Sequence, residues 1–293
     1  MNYEKWLKNN TSSLDGKLVA ISGSTGGLGG ALCEHLATLG ADLLLLNRNV
    51  ARSEAQKKEL EEKYGINVRY IELDLEDMFS VDEAVSALES EKIDVLIHNA
   101  GAYSIPRKTC ENGYDNVFTI NFVSPYLLTR KLLPTLKKNG TKVVIVGSIA
   151  HNYSKMDEND VDFSTRKQAS KVYGNAKRYL VTALPALLAD NGIDFAVTHP
   201  GITFTNITAH YPKLIFALIK HPMKIIFMSP KKAALTTLCG VFENTSQNEW
   251  IGPRIFSVWG LPLKRKINTV SKEENEKIKL ITDEIYKKST QGE

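Results

Sequence analysis

Short, nearly uninterrupted apolar runs alternate along the chain with longer stretches whose apolar residues recur at helical spacing. Lys17-Leu-Val-Ala-Ile21, Asp42 to Leu46, Asn67 to Glu72, Ile93 to Ile97, Lys142 to Val146 and Phe195 to Thr198 read as strands buried on both faces. Between them, Ala31 to Leu39, Val50 to Tyr64, Ser80 to Glu89, a long Cys110 to Lys137 and Thr165 to Ala189 read as helices, with Gly40 and Gly65 as stops. Such alternation predicts an α/β fold: a single doubly wound, mostly parallel sheet with helices on both faces. Right-handed crossovers then leave the carboxyl ends of the strands as the edge where a ligand binds.

The ends of the chain follow the pattern less closely. Residues up to Asp15 read as a short leader helix or arm, Ala233 to Phe242 as a further helix and Arg254 to Val258 as a last strand. Ser271-Lys-Glu-Glu274 is a capping box that opens a final amphipathic helix with Ile278, Ile281 and Ile285 on its apolar stripe. No linker or repeat interrupts the chain, so residues 1–293 are expected to form one domain, with a core at 16–205, a lid at 206–229 and a C-terminal helix at 271–289. The lid assignment rests on Tyr211, Leu214, Ile215, Phe216, Ile225 and Phe227, broken by Pro212 and Pro222, which could cover an apolar substrate or pack as a core helix pair. Lys213, Lys220 and Lys224 in the same segment leave a membrane-surface patch as a further reading.

Composition narrows the classes. The net charge of +4 comes from scattered Lys and Arg, which argues against nucleic acid as a partner. Cys33, Cys110 and Cys239 are odd in number and form no CxxC pair, so neither disulfides nor a structural zinc is expected and a reducing cytoplasm fits. No metal is expected at the histidines either, since His35, His98, His151, His199, His210 and His221 show no close ligand pairing. Met1 to Trp6 lacks the apolar core of a signal peptide, and no window reaches the roughly 18 apolar residues of a spanning helix. A cytoplasmic protein, at most peripheral to a membrane, is the expectation.

The first chemical signal is Ser22-Gly-Ser-Thr-Gly-Gly-Leu-Gly29, between the first strand and first long helix. There Gly23, Gly27 and Gly29 let the backbone approach a pyrophosphate at a positive helix end. The second strand ends in Asn47-Arg48, where enzymes that use NAD commonly carry an acidic residue for the ribose hydroxyls. With no carboxylate there, the planar donors of Arg48 suit a 2′-phosphate, so NADP(H) is the predicted cofactor, with Asp74 beside the adenine.

These features resemble the short-chain dehydrogenase/reductase family, whose fold is of Rossmann type. Its glycine motif appears as Ser22-Gly23 through Gly27 and Gly29, with Ser in place of Thr, and its Asn-Asn-Ala-Gly turn as His98-Asn99-Ala100-Gly101. Within the family, Ser148-Ile-Ala-His151 and the insertion before Tyr173 are most similar to the retinol-dehydrogenase-like branch. The resemblance implies a catalytic set of Asn121, Ser148, Tyr173 and Lys177. It also implies cofactor contacts from Gly23, Gly27, Leu28, Gly29, Arg48, Asp74, Leu75, Asn99, Ala100 and Gly101, then from Tyr173, Lys177, Pro200, Gly201 and Thr205. A homo-oligomer built on the two long helices is implied as well.

Chemistry supports those assignments independently. Tyr173 and Lys177 are four apart, so on a helix they share a face, where an ammonium lowers a phenol pKa and makes it a usable proton donor. Ser148, after the fifth strand, can steady oxyanion charge on a carbonyl. Pro125 has no N–H for the carbonyl of Asn121, which would be free to hold a relay water. The expected activity is hydride transfer between NADP(H) and the carbonyl or alcohol carbon of an apolar small molecule. A non-catalytic dinucleotide sensor and a membrane-surface enzyme for lipid-like carbonyls are the alternatives.

Overall fold

The computed structural model describes residues 3–202, 228–267 and 270–291. The predicted lid falls almost wholly outside these residues, and Thr205 lies outside them too. The strands are β1 (Leu18–Ser22), β2 (Asp42–Asn47), β3 (Val68–Glu72), β4 (Val95–His98), β5 (Lys142–Val146), β6 (Phe195–Thr198), β7 (Glu249–Ile255) and β8 (Trp259–Lys266). They form one sheet in the order β3-β2-β1-β4-β5-β6-β7-β8, parallel except for the antiparallel β7–β8 pair. The reversal of strand order between β1 and β4 is the switch point at which open α/β sheets bind ligands.

The apolar runs are strands because side chains alternate across the sheet and both faces are covered. Ala20, Leu44, Leu46, Leu96, Val143, Ile145 and Val197 point into one layer. Its helices are α4 (Met78–Glu89), α6 (Ser124–Asn139), α7 (Ala169–Asp190) and a C-terminal α9 (Lys272–Thr290). Val19, Ile21, Leu43, Leu45, Ile97, Val144 and Ala196 point into the other. That layer is closed by α1 (Tyr3–Asn10), α2 (Gly27–Thr38), α3 (Val50–Tyr64) and α8 (Pro230–Phe242).

Two expected elements are corrected. The predicted long helix from Cys110 starts only at α5 (Asn116–Phe118), because Asn112 and Gly113 turn the chain and the Asp115 side chain caps the helix by accepting from Val117 N. A π-helical turn, Thr119–Val123, then joins α5 to α6 and carries Asn121 four residues before Pro125, where an N–H is missing from the ladder. The predicted last strand, Arg254 to Val258, is mostly the tip of the β7–β8 hairpin, where Phe256 and Ser257 take positive φ.

The capping box is only half formed. Ser271 Oγ accepts from Glu274 N at 3.1 Å, but the Glu274 carboxylate turns away to Arg178 on α7. Further along α9, Arg130 of α6 pairs with Asp283 at 2.8 Å and lies over the Tyr286 ring. Part of the surface of the two long helices, on which the resemblance would build an oligomer, is therefore occupied by the chain's own C-terminal helix.

Candidate active site

The turn after β1 is built around close backbone approach. A Cβ on Gly29 would lie 2.2 Å from the Gly23 carbonyl, so only glycine lets the helix start so near the strand end. Gly23 itself has φ of +68°. Helix α2 opens at Gly27 and Leu28 with Gly26 as its N-cap, and no side chain among the described residues caps its first N–H groups. Those donors remain available to an anion.

Asn99 fastens this turn to the next one. Its Nδ2 donates to the carbonyls of Ser22 at 2.9 Å and Gly23 at 3.1 Å, while Ser22 Oγ accepts from Asn99 N and Ala100 N. Among the described residues Asn99 Oδ1 is buried without a hydrogen-bond partner, the kind of orphaned acceptor that a bound ligand can satisfy.

At the end of β2 the buried Asn47 turns inward and donates to Ser24 Oγ at 2.7 Å and Ser53 Oγ at 3.0 Å. Arg48, one residue on, is left exposed, with Nε 3.9 Å from Asp74 and Nη1 4.0 Å from Glu76. Such long, solvated ion pairs contribute little, so the guanidinium fork is available. Asp74 accepts from Glu76 N at 3.0 Å, and Leu75 is buried with its carbonyl held by Ser124 Oγ.

The four predicted catalytic residues come from three separate places, α7, the turn after β5 and the turn between α5 and α6, and converge beyond β4 and β5. Tyr173 and Lys177 stand one turn apart on α7. Lys177 is buried, donates from Nζ to Val146 O at 3.1 Å and lies 5.7 Å from the Tyr173 ring centroid. Burial pushes its pKa down to about 8. Ser148 caps a short 3-10 turn, Ile149–Asn152, by accepting from Ala150 N, and it hydrogen-bonds Tyr173. Asn121 is fully buried, donating to the carbonyls of Ala102 and Val117 at 2.8 Å. A Cβ on Gly101 would sit 2.7 Å from Asn121 Oδ1 and 3.5 Å from Lys177 Nζ, so glycine at that position is what lets the turn close over both residues.

One electrostatic expectation fails. The pKa of Tyr173 is pushed up to about 12 rather than lowered: burial dominates, partly offset by the bond with Ser148. Lys177 does not reverse this, since its Nζ is directed to Val146 O. The sequence reading also passed over Tyr103, whose ring meets that of Tyr173 edge-on at 5.3 Å. A lone aromatic in a loop carries no spacing signal that would have found it. Pro200 and Gly201 follow β6, with Gly201 at φ +79° packed against Val258, Met228 and Pro253.

Residues 17–213 match the short chain dehydrogenase family. The chain belongs to that family. Among curated relatives, the chain is 30% identical over 244 residues to retinol dehydrogenase 14 of Mus musculus, covering 77% of the chain and 73% of the relative. It is 29% identical over 258 residues to an uncharacterized oxidoreductase of Schizosaccharomyces pombe, covering 81% and 76%. Retinol dehydrogenases 12 and 13 are among the relatives as well, so the chain sits in the retinol-dehydrogenase-like branch of the family.

Solved structures share the fold of the chain at lower identity. One is a protein from Mycobacterium Paratuberculosis, with TM-score 0.71 and 23% identity over 97% of this chain and 95% of that one. Another is a short-chain dehydrogenase from Sphingobium yanoikuyae in complex with NADPH, with TM-score 0.60 and 23% identity over 76% and 83%. Among the described residues, no cluster of His, Cys, Asp and Glu could hold a metal ion, and no helix is long and apolar enough to cross a membrane.

Proposed function

We propose that this protein is an NADP(H)-dependent oxidoreductase acting on the carbonyl or alcohol carbon of an apolar small molecule. The observation that carries the reading is the meeting of Ser148, Tyr173, Lys177 and Asn121 at the carboxyl edge of the sheet, next to a glycine turn with free helix donors. The residues present fit a dinucleotide: open N–H groups at Gly27 to Gly29, the orphaned Asn99 Oδ1, and the exposed Arg48 fork for a 2′-phosphate. NADP(H), when bound, supplies or accepts the hydride.

The chain's own groups do the rest. Ser148 and Tyr173 share a hydrogen bond, so one carbonyl oxygen can accept from both hydroxyls as charge develops on it. Tyr173 is protonated at neutral pH and is the acid. Lys177, largely charged below about pH 8, steadies the phenolate that Tyr173 leaves and orients ribose hydroxyls. Asn121, in its π-helical turn, holds the water through which Lys177 recovers a proton. The direct test is NADPH oxidation by purified protein with a panel of apolar aldehydes and ketones. Turnover is expected; NADPH binding without turnover of any member would favour the sensor.

A specific observation favours a membrane-surface setting for this chemistry. At the β7–β8 hairpin, Ile255, Phe256, Trp259 and Leu263 are exposed, Phe256 at 87%, beside Arg254, Lys264 and Lys266. Apolar side chains flanked by basic ones suit an anionic lipid surface. Co-sedimentation with anionic vesicles, lost in Phe256→Glu, supports this setting; no co-sedimentation of the parent protein contradicts it.

A further inference from the structure

Helix α7 carries two interleaved pairs at a spacing of four, and only one of them belongs to the reaction. Tyr173 and Lys177 face the reacting edge. Gly174 and Arg178, each one residue later, face the 3-10 turn that follows Ser148. A Cβ on Gly174 would lie 2.4 Å from the Ala150 carbonyl, so helix and turn are in backbone contact. Arg178 Nη1 donates to the His151 carbonyl at 3.1 Å. His151 in turn holds Ser148, since its backbone N–H and its Nδ1 both reach Ser148 O, at 3.1 and 2.7 Å. A carbonyl only accepts, so that Nδ1 carries a proton.

The guanidinium is itself gripped from outside the catalytic core. Glu274, in the first turn of α9, accepts from Arg178 Nε at 2.5 Å and Nη2 at 2.6 Å, and its Oε1 also accepts from Met156 N at 3.1 Å. Both side chains are nearly buried, at 9% and 12% exposure. A buried pair of this kind is a poor way to dock a helix, because desolvation offsets most of the Coulombic gain and well-packed apolar residues serve as well or better. What a bidentate fork provides is a fixed direction. Here the direction runs from Glu274 through Arg178 to His151 and Ser148, within one residue of Lys177.

We propose that Arg178, clamped by Glu274, is a positioning residue that holds the Ser148 turn in register with Tyr173, so that the C-terminal helix is a working part of the catalytic site. The proposal rests on the oxidoreductase reading above for its kinetic consequence, but not for its structural one. Nothing in the clamp touches cofactor or substrate. Its effect is confined to the placement of the serine hydroxyl.

The test compares Arg178→Lys and Glu274→Gln with Asp283→Asn in the full chain. The last variant weakens a different ion pair of the same helix, Arg130–Asp283, more than two turns beyond Glu274. Amide hydrogen exchange of residues 149–153 is expected to quicken at least about tenfold in the first two variants and not in the third. In carbonyl reduction, kcat is expected to fall about 10- to 100-fold in the first two, with the Kd for NADPH and KM for the aldehyde within about threefold of the parent. The proposal is overturned if exchange in the turn is unchanged, if kcat is unchanged, or if Asp283→Asn lowers kcat as much. Loosened exchange in a protein that turns over no carbonyl would leave the clamp standing and instead defeat the oxidoreductase reading.

Discussion

The Lys177 ammonium lies 5.7 Å from the centre of the Tyr173 ring and donates to the strand-end carbonyl of Val146 rather than standing free. Burial lowers the Lys177 pKa from 10.5 to about 8 and raises that of Tyr173 to about 12, so at neutral pH both carry their protons. Lys177 is charged below its pKa, so the active form prevails on the acid side of about pH 8 and is lost above it. The kcat/KM for reduction should therefore be level around neutrality and decline above about pH 8. Lys177→Met should lower kcat at pH 7 by about 100-fold or more. A decline that begins only above pH 10 in the parent enzyme would show that Lys177 is not perturbed.

Arg48 is exposed, and among the described residues its ion-pair partners are Asp74 and Glu76 at about 4 Å. Replacement by Ala should raise the KM for NADPH about 10- to 100-fold, the worth of a charge-assisted contact, while changing that for NADH far less. Equal effects on the two cofactors would remove the 2′-phosphate from this residue.

His98 and His199 are buried as neutral rings, with burial the main cause in each; His98 is held down to about pKa 4 and His199 to about 3, from 6.5. Thr129 Oγ1 donates to Pro125 O at 2.8 Å, so the 2.7 Å contact from His98 Nε2 must be a donation to Thr129, which fixes the neutral tautomer. For a base depressed in the folded state, the unfolded chain binds the extra proton. Stability should thus be complete above about pH 6.5 and fall as pH drops toward 4 and below, by on the order of 3 kcal/mol for His98 alone. Urea midpoints between pH 7 and 4 read this directly. In His98→Asn the acid slope should be shallower; an unchanged slope would mean His98 is not titrating.

What could be read from the sequence follows the physics of each region. The strands at Leu43 to Leu46 and Val143 to Val146 are buried on both faces, and an unbroken apolar run states that plainly. The spacing of Tyr173 and Lys177 was legible because the two share a helix, and the glycine turn because Gly29 meets the backbone of Gly23. The β7–β8 hairpin was not legible: Pro253 and Pro262 interrupt both strands, and half of β8 is exposed, so no alternation marks them. Nor was the partner of Glu274, since a capping box predicts a local bond and Arg178 lies far away in sequence. The raised pKa of Tyr173 escaped too, because desolvation depends on a fold and not on a spacing.

The central claim is that Tyr173 supplies the proton to a carbonyl reduced by NADPH on this chain. The most direct measurement uses NADPH deuterated at the transferring position of the nicotinamide, an apolar aldehyde, and mass analysis of the alcohol formed by the parent enzyme and by Tyr173→Phe. Deuterium on the carbinol carbon with the parent, and at least about 100-fold less alcohol from a Tyr173→Phe protein that still binds NADPH, is the predicted result. Undiminished deuterium transfer by Tyr173→Phe, or none by the parent, would contradict it.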